Sequence, residues 1–219
     1  MQQEINKKQE EKWDAYFKET YKRPPSDVAV TALEYCKENE GLVVDLGCGS
    51  GTDTFFFLAQ GWHVLAIDLQ VEFIENRKSM LAQNVRERLE IVRMHFEELE
   101  LPSGVNCVIA NYSLPFCLPQ SFASMWERIV NSLEGNGIFS GIFFGNRDGW
   151  TNEMGTELTF FTKEQVYELF QTFYILEFQE SEYEGFCCGK NGERIPKHWH
   201  IFRVVARKRK EDLTNIDSR

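Results

Sequence analysis

The 219-residue chain predicts an open α/β fold. Seven strands form a mostly parallel sheet with an antiparallel strand at one edge and helices on both faces. Three observations predict it. Strand-like and helix-like segments alternate strictly from Gly41 to Phe173. The run VNCVIA is apolar on both faces, as a strand covered on both sides must be. Finally, the runs Tyr174 to Glu180 and His198 to Ala206 follow one another with no helix between them, so no crossover is available and they pair antiparallel. The alternating part needs right-handed crossovers and therefore parallel strands.

Each element has its own signal. Trp13, Tyr16, Phe17 and Tyr21 keep helical spacing among Glu and Lys, and Pro24-Pro25 ends that helix. Ser26 is placed as N-cap of a second helix reaching about Glu38. Residues 1–40 are thus a helical cap, 41–209 the main domain and 210–219 a mobile tail. Gly41 opens the first strand, LVVDL. Gly61 to Asp68 is the second, Leu89 to Arg93 the third, Val105 to Ala110 the fourth and Gly137 to Phe144 the fifth. A helix covers Val71 to Gln83. Another shows its apolar face as Phe122, Met125, Trp126, Ile129, Val130 and Leu133. Thr162-Lys-Glu-Gln165 is a capping-box pattern starting a helix with Val166, Leu169, Phe170 and Phe173 on one face. An Asn191-Gly192 turn lies between the closing strands.

A net charge of -10 argues against a protein that tracks phosphate backbones, so no nucleic-acid partner is expected. The basic run Arg207 to Lys210 reads as the solvated end of a strand or as a small binding patch. The N-terminus lacks an apolar signal core, and no run approaches the roughly 18 apolar residues of a membrane span. The expectation is a cytoplasmic protein with no membrane partner. Its six cysteines are scattered without CxxC spacing and read as free thiols.

VVDLGCGSGTD carries the chemistry. A buried strand ends at Asp45, and Gly47, Gly49 and Gly51 then lead into a helix near Thr52. Glycines permit the positive φ of a sharp turn and leave no side chain between backbone and ligand, while the helix start offers free N–H groups. Dinucleotide sites use GxGxxG. Here the third position is Thr52 and the spacing is GxGxG. Asp45 is awkward for a pyrophosphate and useful for an ammonium group. Asp68, ending the next strand, suits a ribose diol. An adenosine with a cationic amino-acid tail fits both acids. A glycine-rich turn with no ligand is the plainer alternative.

DLGCGSG followed by Asp68 resembles the first two motifs of the class I S-adenosylmethionine-dependent methyltransferases, a Rossmann-like family. ANYSLPFC, FFGNRDGW and KHWHIF are similar to the small bacterial tellurite-resistance type. The resemblance implies that Gly47, Cys48, Gly49 and Gly51 line the methionine part of S-adenosyl-L-methionine. Asp45 would hold its amino group, Asp68 the ribose, and Leu69 would lie beside the adenine. His95 and Phe96 fall where the family usually places an acid and a small residue near the adenine. Asn111 and Tyr112 match the motif bordering the transferable methyl.

The resemblance implies a small-molecule acceptor: a thiol, amine, hydroxyl or metalloid oxyanion. A soft nucleophile needs little beyond positioning, whereas a hydroxyl or protonated amine also needs a base. Tyr112, His198 and His200 are the catalytic candidates. In a strand His198 and His200 share one face and Trp199 takes the other; the pair is either substrate-facing or merely part of an edge-strand surface. His63 reads as structural. Adjacent Cys187 and Cys188 point apart, so no metal is expected. Tyr112, Phe116, Trp150 and Trp199 are candidate pocket walls, and Arg23 a candidate partner for the cofactor carboxylate. A catalytically silent cofactor-binding sensor is the rival function. A monomer or homodimer is expected.

Overall fold

Strand β1 (Leu42–Leu46) starts the frame, and the chain then works outward through β2 (His63–Asp68) to β3 (Leu89–Arg93). It returns to the other side of β1 with β4 (Val105–Ala110), followed by β5 (Leu133–Gly145). All four contacts among these strands are parallel. The short β6 (Phe160–Phe161) adds to β5, and β7 (Phe173–Cys188) and β8 (Arg194–Lys208) close the sheet. The spatial order is β3-β2-β1-β4-β5-β8-β7, with β6 off this path. β8 runs antiparallel to both β5 and β7. This computed structural model describes residues 16–18, 20–36, 40–154, 156–189 and 193–210.

From Asp27 onward the α-helices among the described residues are α1 (Asp27–Tyr35), α2 (Thr52–Ala59), α3 (Glu72–Ser79), α4 (Gln83–Arg86), α5 (Pro119–Ser132), α6 (Thr151–Met154) and α7 (Lys163–Leu169). Two apolar layers result, because successive strand residues face opposite ways. Val43, Val64, Ala66, Ile109 and Val205 pack with α1 and α2 on one side. Val44, Leu65, Ile67, Val108, Phe139 and Val204 pack with α5 and α7 on the other. Trp126 of α5 anchors the second layer, its ring 5.0 Å from Phe139 and 5.1 Å from Phe170. Burying such a side chain stabilises by about 1.5–3 kcal/mol.

Several sequence expectations change in detail. The sheet has eight strands rather than seven. The extra one, β6, spans two residues and leaves no periodic signal. The helix expected over Val71 to Gln83 is two pieces, α3 and α4, with a break at Met80 to Ala82. The helix expected to reach Glu38 ends at Tyr35, with Cys36 already extended. The closing strands are far longer than their apolar cores, pairing from Phe173↔Lys208 to Cys188↔Arg194. Cross-strand backbone bonds extend them through the polar stretch Glu180 to Glu184, where apolar content alone would have stopped them. The caps hold: Ser26 accepts from the Ala29 amide, and Thr162 and Gln165 form the reciprocal box. The basic run is tied into the fold, with Arg207 on the Tyr35 carbonyl and Lys208 on those of Val130 and Leu133. Trp13, the Asn191-Gly192 turn and the tail from 211 onward lie outside the described residues.

Candidate active site

β1 pairs with β2 on one side and β4 on the other, so the chain reverses its direction of travel across the sheet at β1. Crevices beyond the carboxyl ends of strands form at such points. Here the crevice is bordered by the bend after β1, the end of β2 and the segment after β4.

Gly47, Gly49 and Gly51 all have left-handed backbones, with φ of 72°, 52° and 77°. The Gly47 and Cys48 amides both donate to the Ile67 carbonyl, which ties the bend to β2. A side chain at any of the three glycines would strike protein. At Gly47 it would meet Ser113, at Gly49 the Phe17 ring at 3.0 Å, and at Gly51 Ile74. The sequence expectation that the missing side chains leave room for a ligand is therefore corrected: that room belongs to the fold. What remains for a ligand is the backbone edge and the acids around it.

Asp45 is buried and accepts from Thr54 Oγ1 at 2.6 Å. Its Oδ1 has no hydrogen bond among the described residues. Burial, reinforced by Asp53, pushes its carboxyl up to about 7. Asp53 is itself held by the Ser26 amide and hydroxyl at 2.8 and 2.7 Å, which locks α1 to α2. Asp68 accepts from the amides of Gly49 at 2.8 Å and Gln70 at 2.9 Å. Burial raises its pKa and those backbone bonds oppose the rise.

Beyond Asp68, a groove of about 860 Å³ is lined by Leu69, Arg93, Met94, His95, Glu97 and neighbours. Leu69 and His95 are exposed along it, and Phe96 is half-buried. The N-terminal segment covers the opposite side. Phe17 is buried on Gly49, and both Phe17 and Tyr21 pack on Phe73 of α3, with ring centres 6.0 and 5.7 Å apart. Arg23 is exposed, and its charge weakly opposes the rise in pKa at both Asp45 and Tyr112.

After β4, Asn111 is half-buried and Tyr112 takes a left-handed backbone, φ 56°, unusual for a non-glycine residue. Ser113 fastens the turn through the Leu46 carbonyl. Burial, then the neighbouring Tyr183 hydroxyl, raise the Tyr112 phenol well above its ordinary value. Its ring joins an aromatic cluster. Trp199 lies 5.5 Å from it and Phe144 6.3 Å, while Trp150 lies 5.8 Å from Trp199 and Phe116 6.5 Å from Trp150. Phe144 is the buried floor, and the others are half-buried.

His198 and His200 do share one face, and it is the face of β8 turned away from Tyr112. His198 binds Glu184 and Glu182 of β7, which together raise its pKa. His200 is fully buried; its Nδ1 accepts from the Arg147 amide and its Nε2–H donates to Glu180. Trp199, on the other face, is the residue that meets Tyr112. The two histidines are therefore removed as candidate bases. Sequence reasoning missed Lys197 and Asp148. Both are buried, and the Lys197 ammonium lies 2.5 and 2.6 Å from the two Asp148 oxygens. Strand parity puts Lys197 on the face of Trp199, but nothing local in the sequence pairs it with Asp148.

A family profile described as a methyltransferase domain matches residues 43–137. Among curated proteins, the carboxy-S-adenosyl-L-methionine synthase of Campylobacter concisus is 30% identical over 104 residues, which is 44% of this chain and 42% of that protein. The chain spans less than half the length of each curated relative it matches. Among solved structures, TehB from Haemophilus influenzae superposes with a TM-score of 0.69 at 17% identity, covering 90% of this chain and 67% of that one. The 1,6-didemethyltoxoflavin-N1-methyltransferase of Burkholderia thailandensis, solved with its acceptor and S-adenosylhomocysteine, gives 0.61 at 22% identity over 84% and 77%.

Proposed function

We propose that the chain is a class I S-adenosylmethionine-dependent methyltransferase that methylates a small-molecule nucleophile. The observation that carries this reading is the pair of acids joined by the left-handed glycine bend: Asp45, next to last in β1, keeps one oxygen without a hydrogen bond among the described residues, and Asp68 ends β2 bonded to Gly49. A buried carboxylate with spare acceptor capacity suits an ammonium group, and a second one beside it suits a diol. In this reading Asp45 holds the amino group of S-adenosylmethionine, with Arg23 near its carboxylate. The backbone of Gly47, Cys48, Gly49 and Gly51 borders the methionine part and Asp68 takes the ribose. Leu69, His95 and Phe96 flank the adenine, and Asn111 and Tyr112 border the methyl.

When bound, S-adenosylmethionine supplies an electrophilic methyl group, which passes to the acceptor's lone pair while the sulfonium electron pair returns to sulfur. The chain supplies placement. In this reading the aromatic cluster of Tyr112, Phe116, Trp150 and Trp199 forms the acceptor's cup. With Tyr112 held protonated and both histidines turned away, the site favours an acceptor that needs no protein base. The Burkholderia relative, solved with 1,6-didemethyltoxoflavin, supports a small acceptor. The net charge of -10 supports an acceptor other than nucleic acid.

Calorimetry with S-adenosylhomocysteine tests the cofactor half: no binding, or binding unchanged in Asp68→Ala, rejects it. A methyl-release panel of thiols, amines, phenols and metalloid oxyanions tests the rest. Binding without turnover on any of them favours the silent sensor.

A further inference from the structure

Aromatic cups ordinarily suit cations, because ring faces carry negative potential. This one already has a cation of its own. The Lys197 ammonium lies 3.5 Å from the Trp199 ring centre, 4.2 Å from that of Trp150 and 5.1 Å from that of Phe144. Its side chain is 2% exposed and that of Asp148 is fully buried. The carboxylate is met elsewhere by backbone N–H groups, from Trp150 at 3.0 Å and His200 at 3.3 Å. The positive end of this buried pair is thus the end in contact with the aromatic wall. The acids of β7 offer no compensation there. Glu180, Glu182 and Glu184 bind Arg147, His198 and His200 on the opposite strand face, and Tyr183 is the β7 residue that reaches Tyr112.

We propose that Lys197, clamped by Asp148 against Trp150 and Trp199, is the specificity-determining residue of the acceptor cup and selects a flat aromatic acceptor whose reacting group is anionic, such as an arenethiolate, over a cationic one. The proposal rests on the methyltransferase reading above and deepens it. Lys197 is a positioning residue: its hydrogen bonds go to Asp148 and to the His198 carbonyl, and it acts on the acceptor through the rings. An ammonium on one face of a ring lowers that ring's attraction for a second cation at low local dielectric, while an anion gains from the same field. The selection also answers the lack of a base, since an arenethiolate arrives with its proton already lost to solvent.

The experiment is calorimetric binding of two benzene-sized probes, 4-nitrobenzenethiolate and phenyltrimethylammonium, to the full chain saturated with S-adenosylhomocysteine. The neutral thioether is used so that no sulfonium charge contributes. The wild-type protein should bind the thiolate at least tenfold more tightly than the ammonium probe. The double variant Lys197→Met/Asp148→Asn, which removes both charges together, should lose that preference by tenfold or more. Equal or tighter binding of the cation by the wild type, an unchanged ratio in the double variant, or no binding of either probe overturns the proposal. The wild-type ratio decides the matter even if the double variant does not fold. Failure of S-adenosylhomocysteine itself to bind refutes the cofactor reading instead, so the two failures are distinct.

Discussion

The Gly49 amide donates to Asp68 Oδ2 across 2.8 Å, so the bend after β1 and the end of β2 form one hydrogen-bonded unit. A ligand that grips Asp68 therefore also orders the glycine bend. Replacing Asp68 by Ala should weaken S-adenosylhomocysteine binding by roughly tenfold to a hundredfold, since a hydrogen bond to a charged group is worth about 1.5–3 kcal/mol. Calorimetry reads the change directly, and an unaltered affinity would remove Asp68 from the site.

If Asp45 holds the cofactor's amino group as proposed, cofactor binding depends on pH. Its folded-state pKa of about 7 lies above the ordinary 3.8, chiefly through burial. Below about pH 4 the group is protonated folded or unfolded, and no penalty exists. As pH rises to about 7 the unfolded chain ionises it first, so the ligand-free protein loses stability, by up to ~4 kcal/mol. Asp45→Asn should raise the melting temperature at pH 8 and flatten its pH dependence. The same change should weaken S-adenosylhomocysteine binding at pH 8, whereas wild-type affinity should decline between pH 8 and pH 6. Opposite signs for stability and binding distinguish this from simple loss of structure.

Gly49→Ala meets two obstacles, a φ of 52° and the Phe17 ring 3.0 Å from the new carbon. The backbone alone costs about 1–2 kcal/mol. Urea melts of Gly49→Ala and of Gly49→Ala with Phe17→Leu separate the two: the double change should recover the contact and leave the backbone cost. Full recovery would mean that the left-handed backbone is not required.

Thr162→Ala breaks the capping box of α7. A loss of about 0.5–2 kcal/mol in stability is expected. Affinity for S-adenosylhomocysteine should stay within twofold by calorimetry. A larger change would show that α7 and the crevice are coupled.

Much of this architecture was legible because it is local. Ser26, Thr162 and the three glycines act through bonds or dihedrals within a few residues, so their roles survive without tertiary context. The parity rule likewise separated Trp199 from His198 and His200. It could not say which parity faces the crevice, because that depends on how β8 docks between β5 and β7. For want of that information the sequence leaves the two histidines open between the crevice and an edge-strand surface.

The sequence by itself determined the alternating frame, the acidic ends of β1 and β2, and the sharp bend between them, since periodicity and backbone sterics need no partner. Only the tertiary structure decided what fills the space beside each glycine, where the imidazoles turn, and that Asp148 meets Lys197 across 49 residues of chain. Those are long-range contacts, set by strand order and register, and no spacing along the chain encodes them.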